Sequence, residues 1–545
     1  MQHCSVSDDG RGEHCSACLK LQEVQSKIRE CKELLDKLYI QETHAKSSVN
    51  AVHDPIIRRL PLELVSDIFT LSNPSLVERG SSLLGDTPVA TQRHQFSLGA
   101  VCTAWRNIVR STPQLWTNIW IRLQIRGELP QMEFLLLSLR LSGSLPLHIY
   151  AWVPQRREPL EKDYPKLVSL LEALNDHSER WKTLDLCITS RLMSHVKGVS
   201  PGSPNLEQLR IRPPILNNPI KSPFRLSFGL PSPHVVNSRE IAFQFIGISW
   251  KNVTHARLDR LTEGECLELF RRATELEDLV ISLLECEESG PFEFGGVVTA
   301  PNLSSWKVEF EDMYNLDMLL KICLPSLVHL EIEEFATLDA LAHMVTRSNC
   351  PLRTISLGQV IGANADLIPI LRAAPLLEKV IFTFVSSRRI CELLGLLGGT
   401  KLVNDLSQDT DVMFLSHLES LSFKGMEYDF TSWHLIPSLF PPTQRPANVQ
   451  YRPLRKLEFL LEIGSFESDY YLSKDLMLQL LEIKRRGYNL IIFNEGASVV
   501  CDLFQVSYDY HFKSQTDTVD DLGVDDGEET EEEEEEEEER VDAAG

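Results

Sequence analysis

Cysteine and histidine residues cluster at the N-terminus in a pattern that could bind zinc. The cluster comprises His3, Cys4, His14, Cys15 and Cys18. Cys15-x-x-Cys18 has the spacing of half a zinc site, and the histidines could supply the other ligands. No second CxxC or HxxxH pair follows at the spacing of a zinc finger. We therefore expect no metal site, and we expect the polar, glycine-containing residues 1–18 to form a disordered N-terminus.

The sequence contains none of the common catalytic motifs. GxSxG, HExxH, GxGxxG and a complete GxxxxGK(S/T) are absent, and the run from Gly398 to Lys401 lacks the order of a phosphate-binding loop. Cys102 lies in an apolar helical pattern, where a small thiol packs as a hydrophobe. Paired acids such as Glu287-Glu288 have no nearby histidine or metal-ligand partner. These observations favour a binding protein over an enzyme, and they predict no cofactor.

Negative charge is concentrated at the end of the chain. The net charge is −24, but residues 517–545 carry 17 acidic residues and one arginine, so the other 516 residues carry only −8. A mildly acidic body without a basic stripe argues against nucleic acid as a partner. Twelve cysteines without regular spacing indicate reduced thiols, as in a cytoplasmic or nuclear protein. No apolar run is long enough to cross a membrane, and the N-terminus has no signal-peptide core, so a membrane is not an expected partner.

Two apolar helical segments, 56–69 and 96–110, lie ahead of the central part of the chain. In the first, Leu60, Leu64 and Ile68 recur at positions i, i+4 and i+8, so they share one helix face. Proline is tolerated in a first helical turn, where its missing N–H has no partner in any case, so Pro61 suits the start of that helix. The two segments hold more large apolar side chains than two short helices can bury between themselves. The surplus indicates contact with a partner's surface.

These segments resemble the F-box, a small helical module that docks on the Skp-family adaptor of a cullin-based ubiquitin ligase. The resemblance rests on Leu60-Pro61, Glu63-Leu64, Ile68-Phe69, Val101-Cys102, Trp105-Arg106 and Pro113-x-Leu115-Trp116. It places the module at 54–120 with an inserted loop at 73–95, and the whole chain resembles F-box proteins of mushroom-forming fungi. The adaptor-binding residues that it implies are Leu60, Pro61, Leu64, Ile68, Phe69, Val101, Cys102, Trp105, Leu115 and Trp116.

An amphipathic or coiled-coil helix is predicted over residues 19–50. Its apolar residues step by three and four along the sequence, which is the pattern of a coiled-coil seam. They are Leu21, Val24, Ile28, Cys31, Leu35 and Leu38. One interpretation is a homodimer through residues 21–38, and the other is a helix folded back on its own F-box.

Ten segments of the form apolar-x-x-apolar-x-apolar recur along the rest of the chain. They begin at Trp181, Leu206, Val253, Leu276, Leu303, Leu327, Leu352, Leu377, Leu418 and Leu454. Six of the nine steps lie between 23 and 27 residues, which is the period of leucine-rich repeats. The pattern predicts a leucine-rich-repeat-like domain over 121–512, in which parallel strands line the inside of an arc and helices cover the outside. An irregular α/β domain is the alternative.

Strand alternation predicts which residues lie opposite the core in this array. They are Arg210, Arg212, Arg257, Asp259, Lys307, Glu309, Glu331, Glu333 and Lys424. Because both charge signs occur, they favour a protein target of mixed charge over nucleic acid, with an ordinary solvated surface as the alternative. Residues 513–545, which include nine consecutive glutamates, are predicted to be a disordered acidic tail. The tail either mimics an acidic ligand on basic residues such as Arg271-Arg272 or only aids solubility.

The expected fold class is therefore α/β: an N-terminal helix, a small all-α F-box module, a leucine-rich-repeat-like solenoid of parallel strands and helices, and a disordered tail. The expected function is that of a substrate-recognition subunit of a cullin-based ubiquitin ligase. Its partners would be a Skp-family adaptor, through it a cullin, and a protein substrate whose identity the sequence does not specify. The alternative is a structural or regulatory scaffold outside any ligase.

Overall fold

The structure is a computed structural model that describes most of the chain. It describes residues 16–53, 59–73, 94–123, 131–154, 159–199, 205–215, 218–285, 296–310, 317–333, 338–358, 367–398, 401–402, 413–426, 430, 432–442, 449–461, 471–495 and 500–513. The zinc pattern up to Cys15, the inserted loop from residue 74 to 93 and the acidic tail from residue 514 lie outside these residues. The chain forms two compact units, unit 1 (1–327 and 347–350) and unit 2 (328–346 and 351–545).

Unit 1 begins with helices and continues with alternating strands and helices. Its helices are α1 (Ser16–His53), α2 (Leu62–Ser72), α3 (His94–Val101), α4 (Thr103–Ser111), α5 (Gln131–Leu141), α6 (Tyr164–Asn175), α7 (Ser190–Met193), α8 (Glu263–Arg272) and α9 (Asp317–Leu320). Side chains define several helix starts. Pro61 directly precedes α2, and the Cys102 thiol accepts a hydrogen bond from the Trp105 N–H at the start of α4. Thr262 and Glu265 form a reciprocal capping box at α8.

Eight parallel strands of unit 1 pair in chain order. They are β1 (Asn118–Arg122), β2 (Leu147–Trp152), β3 (Trp181–Cys187), β4 (Gln208–Arg212), β5 (Val235–Ser238), β6 (His255–Thr262), β7 (Asp278–Glu285) and, after the short β8 (Val298–Thr299), β9 (Ser305–Phe310). The short β10 (Ile322–Cys323) pairs with β8. In-register parallel pairing aligns equivalent side chains of successive strands on the same side.

Unit 2 repeats the arrangement and ends with an antiparallel strand. Its strands are β11 (His329–Glu333), β12 (Thr354–Leu357), β13 (Lys379–Thr383), β14 (Lys401–Leu402), β15 (Ser420–Met426), β16 (Val449–Gln450), β17 (Lys456–Leu461), β18 (Asn489–Glu495) and β19 (Val500–Asp502). Its helices are α10 (Leu338–Ser348), α11 (Ile368–Ala373), α12 (Ser387–Leu397), α13 (Lys474–Arg485) and α14 (Leu503–Tyr508). β11, β12, β13, β15, β17 and β18 are parallel, and β19 returns antiparallel to β18.

The predicted strands are confirmed, and the fold is mixed α/β with extensive parallel pairing. Each of the ten repeated segments contains one strand, because the second and third apolar positions of the segment point into the core. The predicted N-terminal helix also forms, but it begins at Ser16, so residues 16–18 are helical rather than disordered. β1 and β2 were not predicted. The predicted domain boundary at residue 120 falls inside β1.

The core of unit 2 is built from the repeated apolar positions of successive strands. Phe382, Phe423 and Phe459 stack in adjacent strands, with ring centroids 5.7 Å and 5.2 Å apart. All three rings are fully buried. Burying such a ring removes a large apolar area from water, so these positions hold neighbouring strands together. None of the described helices has both the length and the apolar character needed to cross a membrane.

Two adjacent leucines test which positions of a repeated segment point into the core. Replacing Leu377 with alanine should lower the free energy of unfolding by about 2–5 kcal/mol, because its side chain is fully buried. Leu376→Ala should change it by less than about 1 kcal/mol, because that side chain is 42% exposed. Urea denaturation followed by circular dichroism measures both. Equal losses of unfolding free energy in the two variants would contradict this assignment of buried and exposed positions.

Candidate protein-binding surfaces

The helices α2, α3 and α4 pack around one small hydrophobic core in unit 1. Its buried members are Val65, Phe69, Ile108, Val109, Leu115 and Trp116. Partly buried side chains of α5, such as Phe134 and Leu137, pack against the same core. The Phe69 and Trp105 rings lie 4.6 Å apart, and the Gln95 side chain donates a hydrogen bond to the Leu115 carbonyl at 2.7 Å. These contacts make α2, α3 and α4 one packed helical module.

The structure separates the predicted adaptor-binding residues into three groups by exposure. Pro61, Leu64 and Ile68 are exposed, and Leu60, Val101 and Trp105 are half-buried. Phe69, Cys102, Leu115 and Trp116 are buried. The helical packing encloses these four, so they are the members of the set that hold the helices together. They act on any partner only through the shape of the module.

Trp116 is buried, although the family resemblance places it near the adaptor contact. Its indole N–H donates a hydrogen bond to the Val109 carbonyl at 2.8 Å, and only 3% of the residue is exposed. The Phe96 ring packs edge-on at 6.0 Å from it. A buried tryptophan with a satisfied N–H is a packing residue. Trp116 therefore fixes the chain between α4 and β1.

One face of α2 is apolar and uncovered. We call Pro61, Leu64, Ile68 and Leu71 the α2 stripe, because their spacing of three and four residues places them on one side of the helix. Leu71 is 84% exposed, and Leu64 and Ile68 are 48% and 41% exposed. Val65 and Phe69, on the other side, fill the core of the module. Contiguous exposed apolar side chains of this kind mark interaction sites.

Strand alternation in unit 1 places the predicted target-binding residues as expected. Leu209 and Ile211 are buried, whereas Arg210 and Arg212 lie on the opposite side of β4. The same alternation holds for Arg257 in β6. Asp259, Lys307 and Glu309 also lie opposite the core and are half-buried. The sequence therefore predicted which side of these strands is polar, and binding through that side stays a prediction.

The structure also places aromatic residues beside these charges that the sequence analysis did not identify. Trp120 of β1 stacks on Tyr150 of β2 with ring centroids 4.4 Å apart, and Trp152 meets Trp120 edge-on at 6.1 Å. In register, Tyr150 is followed by Asp185 of β3 and then by Arg210. The period-2 alternation of Asn118–Arg122 and Leu147–Trp152 was the available signal, and β1 also carries the repeat pattern as Trp116-x-x-Ile119-x-Ile121.

Asp185 lies between two arginines on the same side. Its carboxylate oxygens are 3.8 Å from Arg210 Nη1 and 3.9 Å from Arg212 Nη2. Burial raises the pKa of Asp185, and Arg212 and Arg210 oppose that change. Burial also raises the pKa of the Cys187 thiol to about 11 and lowers the pKa of His148. This side of β2 and β3 is therefore a poorly hydrated environment in which charges act strongly.

In unit 2 the predicted residues Glu331, Glu333 and Lys424 lie opposite the core and are half-buried. Near Lys424, Glu458 of β17 accepts hydrogen bonds from Ser422 at 2.9 Å and Lys456 at 3.0 Å. Burial acts to raise the pKa of Glu458, but these hydrogen bonds and the nearby lysines outweigh it and lower the pKa. The polar side of unit 2 thus has mixed charge and internal pairing.

The seam of α1 is exposed along its length. Leu21, Val24, Ile28, Leu35 and Leu38 are each about half exposed. The interpretation in which this helix folds back on the F-box is therefore wrong for residues 21–38. The homodimer through these residues stays a prediction, and the uncovered seam is compatible with it.

Comparisons with known proteins give no family assignment. No protein-family model matches the chain, and no curated protein sequence matches it. Within the described part of the chain, no group of histidine, cysteine, aspartate and glutamate side chains could hold a metal ion. The surfaces described above are therefore the features on which a function can be argued.

A cross-linking experiment tests the α1 homodimer. Cys31 is an exposed free cysteine on the seam, and a parallel, in-register dimer would place the two copies within disulfide distance. Mild oxidation of a variant with serine at Cys4, Cys15 and Cys18 should give a covalent dimer on non-reducing gels. Adding Cys31→Ser should abolish it, and adding Cys391→Ser should not. If the triple-serine chain and both of its derivatives form no covalent dimer, an in-register parallel dimer is contradicted.

Proposed function

We propose that this protein is a substrate-recognition subunit of a cullin-based ubiquitin ligase. The α2 stripe would dock on the Skp-family adaptor, and the polar side of the strands would bind a protein target. The single observation that supports this proposal most is the exposed α2 stripe beside a helical module whose other side is packed. The protein would catalyse no reaction and would raise the local concentration of a target near the ubiquitin-loaded enzyme.

The geometry of α2 suits docking into a groove of a partner. A helix presents anchors at i, i+3, i+4 and i+7 to such a groove, and the α2 stripe has this spacing. Burying the exposed parts of Leu64, Ile68 and Leu71 would contribute roughly 2–4 kcal/mol. The opposite side of α2 is fixed by Val65 and Phe69 in the core, so the stripe would be presented on a rigid support.

The strand arrangement supports the finer proposal of a leucine-rich-repeat-like target-binding domain. One strand recurs at about every 25 residues over much of the chain. Consecutive strands pair in parallel and in register, with apolar residues on one side. This repetition leaves a continuous polar side within each unit, which is the kind of surface that repeat proteins use for binding.

A scaffold outside any ligase is the second candidate. The observation that favours it is the packing of Phe134, Leu137 and Leu141 of α5 against the core of the helical module. In that function the module would serve to close the end of the strand array. The exposure of Leu64, Ile68 and Leu71 argues against it, because a purely structural module has no need for an uncovered apolar stripe.

A binding measurement separates the two candidates. The double variant Leu64→Ala, Ile68→Ala should weaken binding to a purified Skp-family adaptor by about tenfold or more, because both side chains would be contact anchors. Surface plasmon resonance with immobilised adaptor measures the change. Circular dichroism should show an unchanged fold, since both side chains are exposed.

Leu478→Ala on α13 is the matched control, because Leu478 is exposed to a similar extent. This variant should bind the adaptor like the unmodified chain. If the unmodified chain does not bind the adaptor, the ligase proposal is wrong and the scaffold is favoured. If it binds and the double variant binds equally well, the α2 stripe is not the docking surface.

A further inference from the structure

Five arginines lie on the polar side of β1–β6 in unit 1, and together we call them the arginine face. Arg122, Arg210, Arg212 and Arg257 lie in the strands, and Arg239 directly follows β5. Only two carboxylates, Asp185 and Asp259, lie among them on these strands. The local charge is therefore about +3 on a chain whose net charge is −24. Sequence composition conceals this concentration, because register pairing brings together arginines that are far apart in the chain.

The two carboxylates leave most hydrogen-bond donors of these arginines available. Asp185 is 3.8 Å and 3.9 Å from the nearest arginine nitrogens, and Asp259 is 3.6 Å from Arg239 Nε. All three distances exceed the hydrogen-bonding range. Across the described residues, no ion pair involves Arg257. Each guanidinium carries five donors, so most remain available to a further acceptor.

Two of the arginines enclose the inner nitrogen of the guanidinium. Arg122 Nε and Arg239 Nε are buried, and neither makes a hydrogen bond among the described residues. The Arg239 side chain is still 37% exposed, so its outer nitrogens, and not the enclosed Nε, would meet a ligand.

The chemistry favours carboxylate-rich protein over nucleic acid. Trp120 and Tyr150 stack on each other, so these ring faces are used within the protein rather than presented to bases. Asp185 and Asp259 interrupt the arginines, so the positive charge is not the continuous groove that a phosphodiester backbone follows. Separate side-chain carboxylates can instead reach Arg210 and Arg257, which lie on strands two positions apart, about 10 Å.

We infer that the arginine face binds an acidic segment of the target protein, through aspartate, glutamate or phosphorylated side chains. This inference rests on the proposed function, since it names the class of target that the strands would present to the ligase. Arginine forks bind carboxylate and phosphate oxygens in pairs, and the neighbouring aromatic cluster strengthens such contacts by excluding water.

Fluorescence anisotropy with the full chain tests the inference. The probes are labelled peptides of alternating glutamate and serine, the same peptide with phosphorylated serines, and a glutamine–serine peptide. The first two should bind, more weakly as salt is raised, and the third should not. Tighter binding of the phosphorylated peptide would identify phosphate as the preferred source, and equal binding would identify carboxylate. Both results support an acidic segment.

The double variant Arg210→Gln, Arg257→Gln should weaken peptide binding by about tenfold or more, because it removes charge-assisted hydrogen bonds. Arg271→Gln on α8 is the control, because it removes a charge outside the arginine face and should leave affinity unchanged. Equal losses in both variants would overturn the inference. So would equal binding of the glutamine–serine peptide, or tighter binding of an oligouridylate that the double variant abolishes.

Adaptor binding distinguishes this inference from the proposed function. The arginine variants should bind the Skp-family adaptor normally, because the α2 stripe is unchanged. If adaptor binding is intact and no acidic peptide binds up to millimolar concentration, only the inference is wrong. If acidic peptides bind and the adaptor does not, only the ligase proposal is wrong.

Discussion

In-register parallel pairing of successive strands is the constraint on which this structure depends. Pairing aligns the same apolar positions of each segment, so Leu330, Ile355 and Val380 form one continuous buried row in unit 2. Each row buries side chains that a single strand and helix could not enclose alone. The same pairing aligns the polar side chains on the opposite side. The core and the candidate binding surface are thus two results of one backbone arrangement.

The helical module depends on the packing of helices and not on strand pairing. Its core is small and buries only part of the large apolar side chains that the sequence supplies there. Phe69, Leu115 and Trp116 are enclosed by packing, and the apolar surplus appears on α2 instead. The sequence indicates that a surplus exists. It does not assign the surplus to particular residues, because that assignment depends on how far each helix is rotated about its axis.

Much of the fold could be predicted from the sequence, and less of the candidate site. The repeat pattern identified ten strands, because three apolar positions at fixed offsets mark each one. It missed β1, although Trp116, Ile119 and Ile121 stand at the repeat offsets, and β2, where the aligned residues are Pro146, Ile149 and Ala151. The contact of Asp185 with Arg210 and Arg212 also escaped prediction. Strand pairing creates it, and no local pattern encodes which strands become neighbours.

Side chains alternate between the two sides of each strand, and this alternation limits how the arginine face can change during evolution. A single inserted residue inside β4 would exchange Arg210 with Ile211, bury a guanidinium and expose an apolar side chain. Insertions between strands leave this alternation unchanged, which explains why steps of 41 and 36 residues coexist with the regular ones, whereas the step of 47 residues contains an additional strand, β5. The chain can therefore lengthen its loops freely and alter its surface chemistry by substitution. It cannot shift a strand by one residue without losing both its core and its polar surface.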